Sequence, residues 1–292
     1  MSCLHERSQS LSRDLAKFVA KLSEGVSEKG VHRLRTTIRR LETLVDAGVP
    51  RLRRKQKKAL DELRVLRKRA GKVRDLDIQI ALLGSIGNGS ASADRRSLAE
   101  VLKARRERQV ARLVLASKKL DSAKLFDRLA RIADDAGPEE TPAATVLEEL
   151  QERLSQLAQE YGSRRSLKPA RLHKLRIQVK LLRYRAELAQ SAPGQEELIE
   201  KLRYVQGLIG EWNDWGMLAE SADEHFRERV NCALLVEIRS LLAARYSAAD
   251  SATANLLTAY APAGRKKPLI AAPDSRPAPV RNAGNGVAGL AG

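Results

Sequence analysis

Apolar residues recur along this chain with the three-to-four spacing of helices, and no stretch alternates in the manner of a strand. Leu11, Leu15, Phe18, Val19 and Leu22 predict a first helix that ends near Gly25. Val31, Leu34, Ile38, Leu41 and Val45 form a stripe on a second, stopped by Gly48 and Pro50. A long third helix is expected from about Arg51 to Leu83, running into the Gly/Ser/Asn loop 84–92. Helical stretches follow at 93–117 and 120–136, with a break at Gly137, Pro138 and Pro142. Beyond it come helices near 143–160, 167–190, 195–220 and 222–247. The fold class is therefore all-α, with about eight helices. From residue 248 to 292, Ala, Pro and Gly dominate, with Arg265, Lys266 and Lys267 among them, and the segment reads as a flexible basic tail.

The chain repeats itself. VHRLRTTIRRLETL at 31–44 matches LHKLRIQVKLLRYR at 172–185, an offset of 141. GKVRDL at 71–76 matches GEWNDW at 210–215, an offset of 139 that aligns Gly71 with Gly210 and Asp75 with Asp214. The expected architecture is two four-helix bundle-like repeats, about 5–136 and 143–247, related by a pseudo-twofold.

Charge adds the first functional clue. The net charge is +18, and two short segments carry more than the whole surplus: 31–74 at +12 and 164–185 at +9, against −6 for 186–230. Self-repulsion of that size within a segment calls for a counter-charge, and a polyanion supplies one. The hydrophobic fraction of 43% excludes a basic disordered chain, and the absence of any long apolar run excludes a membrane span. The first 25 residues hold no signal-peptide core, and Cys3 with Cys232 cannot form a disulfide framework, so a reducing cytoplasm is expected.

On a helical wheel the residues Val31 to Val45 of the stripe fall within about 80°, while His32, Arg35 and Arg39 share a narrow face roughly 60–160° away. His173, Arg176 and Lys180 repeat that line beside Leu172, Leu175, Val179 and Leu182. On the third helix Arg53, Lys57, Arg64, Arg67, Lys68 and Arg74 share a broad side with Asp75, and Gly71 sits in its middle. A glycine inside a helix costs about 1 kcal/mol relative to alanine, so either close approach of another group or helix–helix packing should explain it. Asp75 and Asp214 are expected to pair with Arg or His and fix their rotamers. Trp212 and Trp215 are expected to pack in a core or interface.

The pattern V/L-H-x-L-R-x-x-x-R/K at 31–39 and 172–180, with RDLD at 74–77 and ND at 213–214, resembles the CHAD (conserved histidine α-helical domain) family over about residues 5–247. The resemblance implies an all-α fold of two four-helix bundles around a basic central cavity that binds inorganic polyphosphate, in proteins found on polyphosphate granules among other settings. Carried over by motif position, the implied ligand residues are His32, Arg35, Arg39 and Arg40, with His173, Arg176, Lys180 and Arg183 in the second half. Lys57, Arg64, Arg67, Lys68, Arg74 and Arg203 extend the expected binding surface. Leu181 stands where the first half has Arg40, and Gln206, Gly207 and Asn213 where it has Arg67, Lys68 and Arg74, so the first half is expected to be the stronger.

Non-enzymatic polyphosphate binding is thus the leading expectation. Nucleic acid is the alternative partner, disfavoured because Tyr184 is the lone aromatic of the basic segments and base stacking wants more. Catalysis is not expected: Asp75, Asp77 and Asp214 are too few and too surrounded by Arg to hold a metal, and no glycine phosphate loop is present. His5, His32, His173 and His225 lack ligand spacing, and no cofactor is implied.

Overall fold

The computed structural model describes residues 3–22, 24–49, 52–87, 92–134, 143–162, 166–188, 194–229 and 231–262. These form the helices α1 (Cys3–Lys21), α2 (Glu28–Gly48), α3 (Arg54–Ser85), α4 (Ser92–Lys118), α5 (Ser122–Asp134), α6 (Ala143–Tyr161), α7 (Pro169–Leu188), α8 (Gln195–His225) and α9 (Ala233–Ala259). No strand occurs among the described residues.

Both predicted stripes are core. Val31, Leu34, Ile38, Leu41 and Val45 of α2 are buried with residues of α1, α3 and α5. Leu172, Leu175, Val179 and Leu182 of α7 are buried with residues of α6, α8 and α9. Each such leucine contributes roughly 2–3 kcal/mol on leaving water. A third cluster binds the halves: Leu76, Leu83, Leu98 and Leu102 from α3 and α4 meet Trp215, Leu218, Leu234 and Ile238 from α8 and α9. Trp215 is buried there, and Trp212 stands against the second core with its ring 5.9 Å from that of Tyr246, so both tryptophans pack as expected.

The separate stretches expected at 93–117 and 120–136 are α4 and α5, so the first half closes with two helices where the second closes with one, and α5 restarts at Asp121, whose carboxylate accepts from the Lys124 backbone N–H at 3.1 Å. Two expectations need correction. The break between α8 and α9 falls at Phe226–Cys232 and not at 221, because Phe226 turns into the third core while its N–H closes the last turn on Ala222. The tail does not begin at 248. Helix α9 continues to Ala259, burying Ala249, Ala252, Thr253, Leu256 and Leu257, and Asp250 accepts from the Leu167 N–H at 2.9 Å. Their spacing is helical, and an Ala-rich stretch loses little side-chain entropy on ordering. Residues 263–292, with most of the expected tail, lie outside the described residues, as do Gly137, Pro138 and Pro142.

Candidate functional site

Ser27 starts α2 by accepting from the Gly30 N–H at 3.1 Å, and the buried stripe then fixes the helix rotation. That rotation puts His32, Arg35 and Arg39 on the flank facing α3 and α7. Helices α2 and α7 touch, as do α3 and α8, so the basic faces of both halves meet across the middle of the molecule.

Arg35 crosses from α2 to α3, where Nη1 donates to the Gly71 carbonyl at 3.4 Å and to Asp75 Oδ1 at 3.3 Å. The guanidinium is the group nearest Gly71, but a Cβ there would stand 3.8 Å from Arg35 Cζ, an ordinary contact, so no close approach requires a glycine at this position. Asp75 therefore positions an arginine, as its place in the motif suggested. Asp214 behaves differently. Its hydrogen bond goes to the neighbouring Asn213, and burial first, then Asp75, raises its pKa while Arg176 and Arg74 oppose.

The fields of neighbouring cations show which residues meet. Lys180 is half-buried, and burial together with Arg39, Arg176, Arg35 and Arg183 lowers its pKa to about 7. Its Nζ stands 5.9 Å from the Tyr184 ring centroid, and Arg183 lies over the same ring at 4.5 Å. Burial, then Arg74 and Arg35, lower the pKa of His32, with Lys180 adding to them and Glu28 opposing. Arg39 is likewise pushed down by burial, with Arg67 and Arg35 adding to it and Tyr184 and Glu42 opposing. One cluster thus gathers His32, Arg35, Arg39, Arg67, Arg74, Arg176, Lys180 and Arg183 from α2, α3 and α7.

Carboxylates divide that cluster unevenly. Arg67 Nε meets Glu42 Oε2 at 3.0 Å, Arg74 pairs with Glu28, and Arg35 with Asp75. In the second half Arg183 pairs with Glu187 and donates to Gln206 Oε1 at 2.7 Å, while Arg203 reaches Glu187 at 3.5 Å. Arg39, Arg176 and Lys180 have no carboxylate within ion-pair distance among the described residues. The offset of 141 that aligns the two motifs sets Arg183 opposite Glu42, so the α2–α3 and α7–α8 contacts exchange cation for acceptor.

Other predicted residues stand apart. Arg64 is exposed and pairs with Asp61 at 2.9 Å. Lys57, Lys68 and His173 are exposed on α3 and α7, and Lys57 and Lys68 are not among the causes that shift Lys180, His32 or Arg39. Arg40 turns to another groove, between α1, α2 and α7, with Ser10, Leu11, Thr43, Leu44, Tyr184 and Glu187. Sequence reasoning passed over Glu28, Glu42 and Glu187, and read Gln206 only as a lost cation and not as the acceptor for Arg183. Glu187, four residues past Arg183 on one helix, was readable; Glu28, 46 residues from Arg74, was not.

Among the described residues no three His, Cys, Asp or Glu side chains are placed to hold a metal ion, and no helix is long and apolar enough to cross a membrane.

Fold and site together define an all-helical domain whose two halves share a central cluster of cations. The CHAD domain family model matches residues 9–223, and the chain belongs to that family. The crystal structure of the CHAD domain from the plant Ricinus communis is similar at a TM-score of 0.64 and 19% identity, over 90% of this chain and 93% of that one. PptA from Streptomyces chartreusis is similar at a TM-score of 0.61 and 15% identity, over 87% of this chain and 97% of that one. These likenesses establish the fold. No curated protein matches the sequence.

Proposed function

We propose that this domain binds inorganic polyphosphate, without turning it over, along the cationic cluster between α2, α3 and α7. The observation that carries the reading is half-buried Lys180 in the field of Arg39, Arg176, Arg35 and Arg183 with no carboxylate within ion-pair distance among the described residues. A lysine whose charge is disfavoured by burial and by neighbouring guanidiniums is stabilised by a ligand with closely spaced negative charges. Guanidiniums meet phosphate oxygens in a bidentate fork, and their repetition at about one helical turn suits a linear polymer without bases to read. Tyr184 favours this partner over nucleic acid: it is buried beneath Lys180 and Arg183, so no base can stack on it. The acids of the site support binding over chemistry. Asp75 is engaged by Arg35, Glu42 by Arg67 and Asp214 by Asn213.

Long-chain polyphosphate should bind the pure protein, with an affinity that falls linearly on a log–log plot against salt as counterions are released. An equal phosphate concentration of RNA serves as competitor. A flat salt response, or displacement by RNA, refutes the reading. In cells the same affinity would carry the protein to polyphosphate granules in the cytoplasm, which a fluorescent fusion reports.

A further inference from the structure

Lys180 stands out among the lysines of this chain. Its side chain lies half-buried on α7, facing α2, and makes no hydrogen bond or ion pair among the described residues. The charges that act on it most strongly are Arg39, Arg176, Arg35 and Arg183, from α2 and from its own helix, and the titratable His32 of α2 also lies within its field. Tyr184 supplies the ring beside it, 5.9 Å from Nζ to the centroid. By contrast Lys201 is exposed and held charged by Glu197 at 2.6 Å, and Lys68 is exposed on α3.

We propose that Lys180 is a modification site that takes the acyl group of an acyl phosphate, the surrounding arginines holding the donor's phosphate while the Lys180 amine attacks its carbonyl. The inference rests on the anion-binding reading above and extends it to a second class of ligand. Nζ forms a C–N bond to the acyl carbon as the C–O bond to phosphate breaks. Phosphate leaves with the bonding electron pair, and the proton shed by nitrogen goes to phosphate or water, so the step needs no other reactant. Guanidiniums placed to hold a phosphate also stabilise the phosphate that departs.

Two physical terms favour this lysine. At pH 7.5 an amine of pKa about 7 is mostly unprotonated. It offers roughly several hundred times more free amine than an ordinary lysine, although its lower basicity takes back part of that advantage. Recruitment of the anionic donor adds the second term, which exposed lysines lack. Acylation then removes the ability of Lys180 to charge, leaving a neutral amide among the arginines and a weaker site for polyphosphate.

The test is a time course of the full-length protein with acetyl phosphate at pH 7.5 and low salt, each lysine followed by peptide mass spectrometry. Lys180 is expected to acetylate at least tenfold faster than Lys68 or Lys201. N-hydroxysuccinimide acetate, a neutral donor, should show a smaller preference, and Arg39→Gln with Arg176→Gln should lower the acetyl phosphate preference toward that level. Labelling of Lys180 no faster than Lys68 overturns the inference, as does an acetyl phosphate preference that the double substitution leaves intact. Polyphosphate separates the two readings. Binding of the polymer beside slow labelling of Lys180 refutes the modification site alone. Fast labelling that saturating polyphosphate does not slow refutes the polymer site and leaves the modification site standing.

Discussion

Replacing Lys180 with methionine should stabilise the free protein. Methionine keeps the length and apolar stem of the side chain and discards a charge that the native state disfavours. Burial and four guanidiniums move the lysine from its ordinary 10.5 to about 7. A base whose folded pKa is depressed destabilises the fold wherever the unfolded chain is protonated, in full below the folded value and decreasingly up to the unfolded one. At about 1.36 kcal/mol per pKa unit, the cost at pH 7 comes to roughly 4 kcal/mol, and solvent screening of this partly exposed group reduces it to about 2–4. For a domain of this size that is a rise in melting temperature on the order of 5–15 °C. The assay is urea unfolding of both proteins at pH 7, 8 and 9 in a buffer free of phosphate. Wild type should gain about 2 kcal/mol on the variant between pH 7 and 9, because its unfolded chain binds the extra proton throughout that window. A variant no more stable than wild type at pH 7, or two parallel pH profiles, refutes the reasoning. The same substitution should weaken polyphosphate binding roughly tenfold, about the worth of one charge-assisted contact.

Glu42→Gln frees Arg67 and should raise polyphosphate affinity severalfold with a steeper salt dependence, measured by competition titration. Gly71→Ala adds a methyl at 3.8 Å from Arg35 Cζ within a helix, so thermal unfolding should show a gain of about 0.5–1 kcal/mol with polyphosphate affinity nearly unchanged. Arg176→Glu with Lys180→Glu should weaken binding at least as much as Arg35→Glu with Arg39→Glu, the reverse of the sequence expectation, since Arg35 is already matched by Asp75. Circular dichroism distinguishes two truncations: ending the chain after Ser247 removes Leu256 and Leu257 from a core and should unfold the second half, whereas ending it after Pro262 should leave helicity intact.

The stripes on α2 and α7 could be read from the sequence because one rotation satisfies both periodicities: Leu34 and Leu175 inward, Arg35 and Arg176 sideways. The end of α9 was equally written in Ala249, Ala252, Leu256 and Leu257, but the prolines beyond drew the boundary forward. Arg40 misled for a geometric reason. It follows Arg39 directly, and 100° of rotation sends it to the groove beside Ser10 and Leu11. Glu28 on Arg74 and Glu42 on Arg67 depend on how α2 and α3 cross, which no one-dimensional pattern encodes. The half that looks more basic by counting is thus the half whose arginines are more fully matched.

The third core has a consequence for how a polymer enters. Trp215, Leu218 and Ile238 weld α8 and α9 to Leu83, Leu98 and Leu102, so the halves cannot swing apart as jaws without exposing that apolar surface. The contact between α2 and α7 is then held in place by the apolar core that joins the halves. Capture of a polyanion on so fixed a frame would need no conformational step. Association should run at the electrostatically steered diffusion rate, and small-angle scattering should find the protein the same shape with and without its polymer.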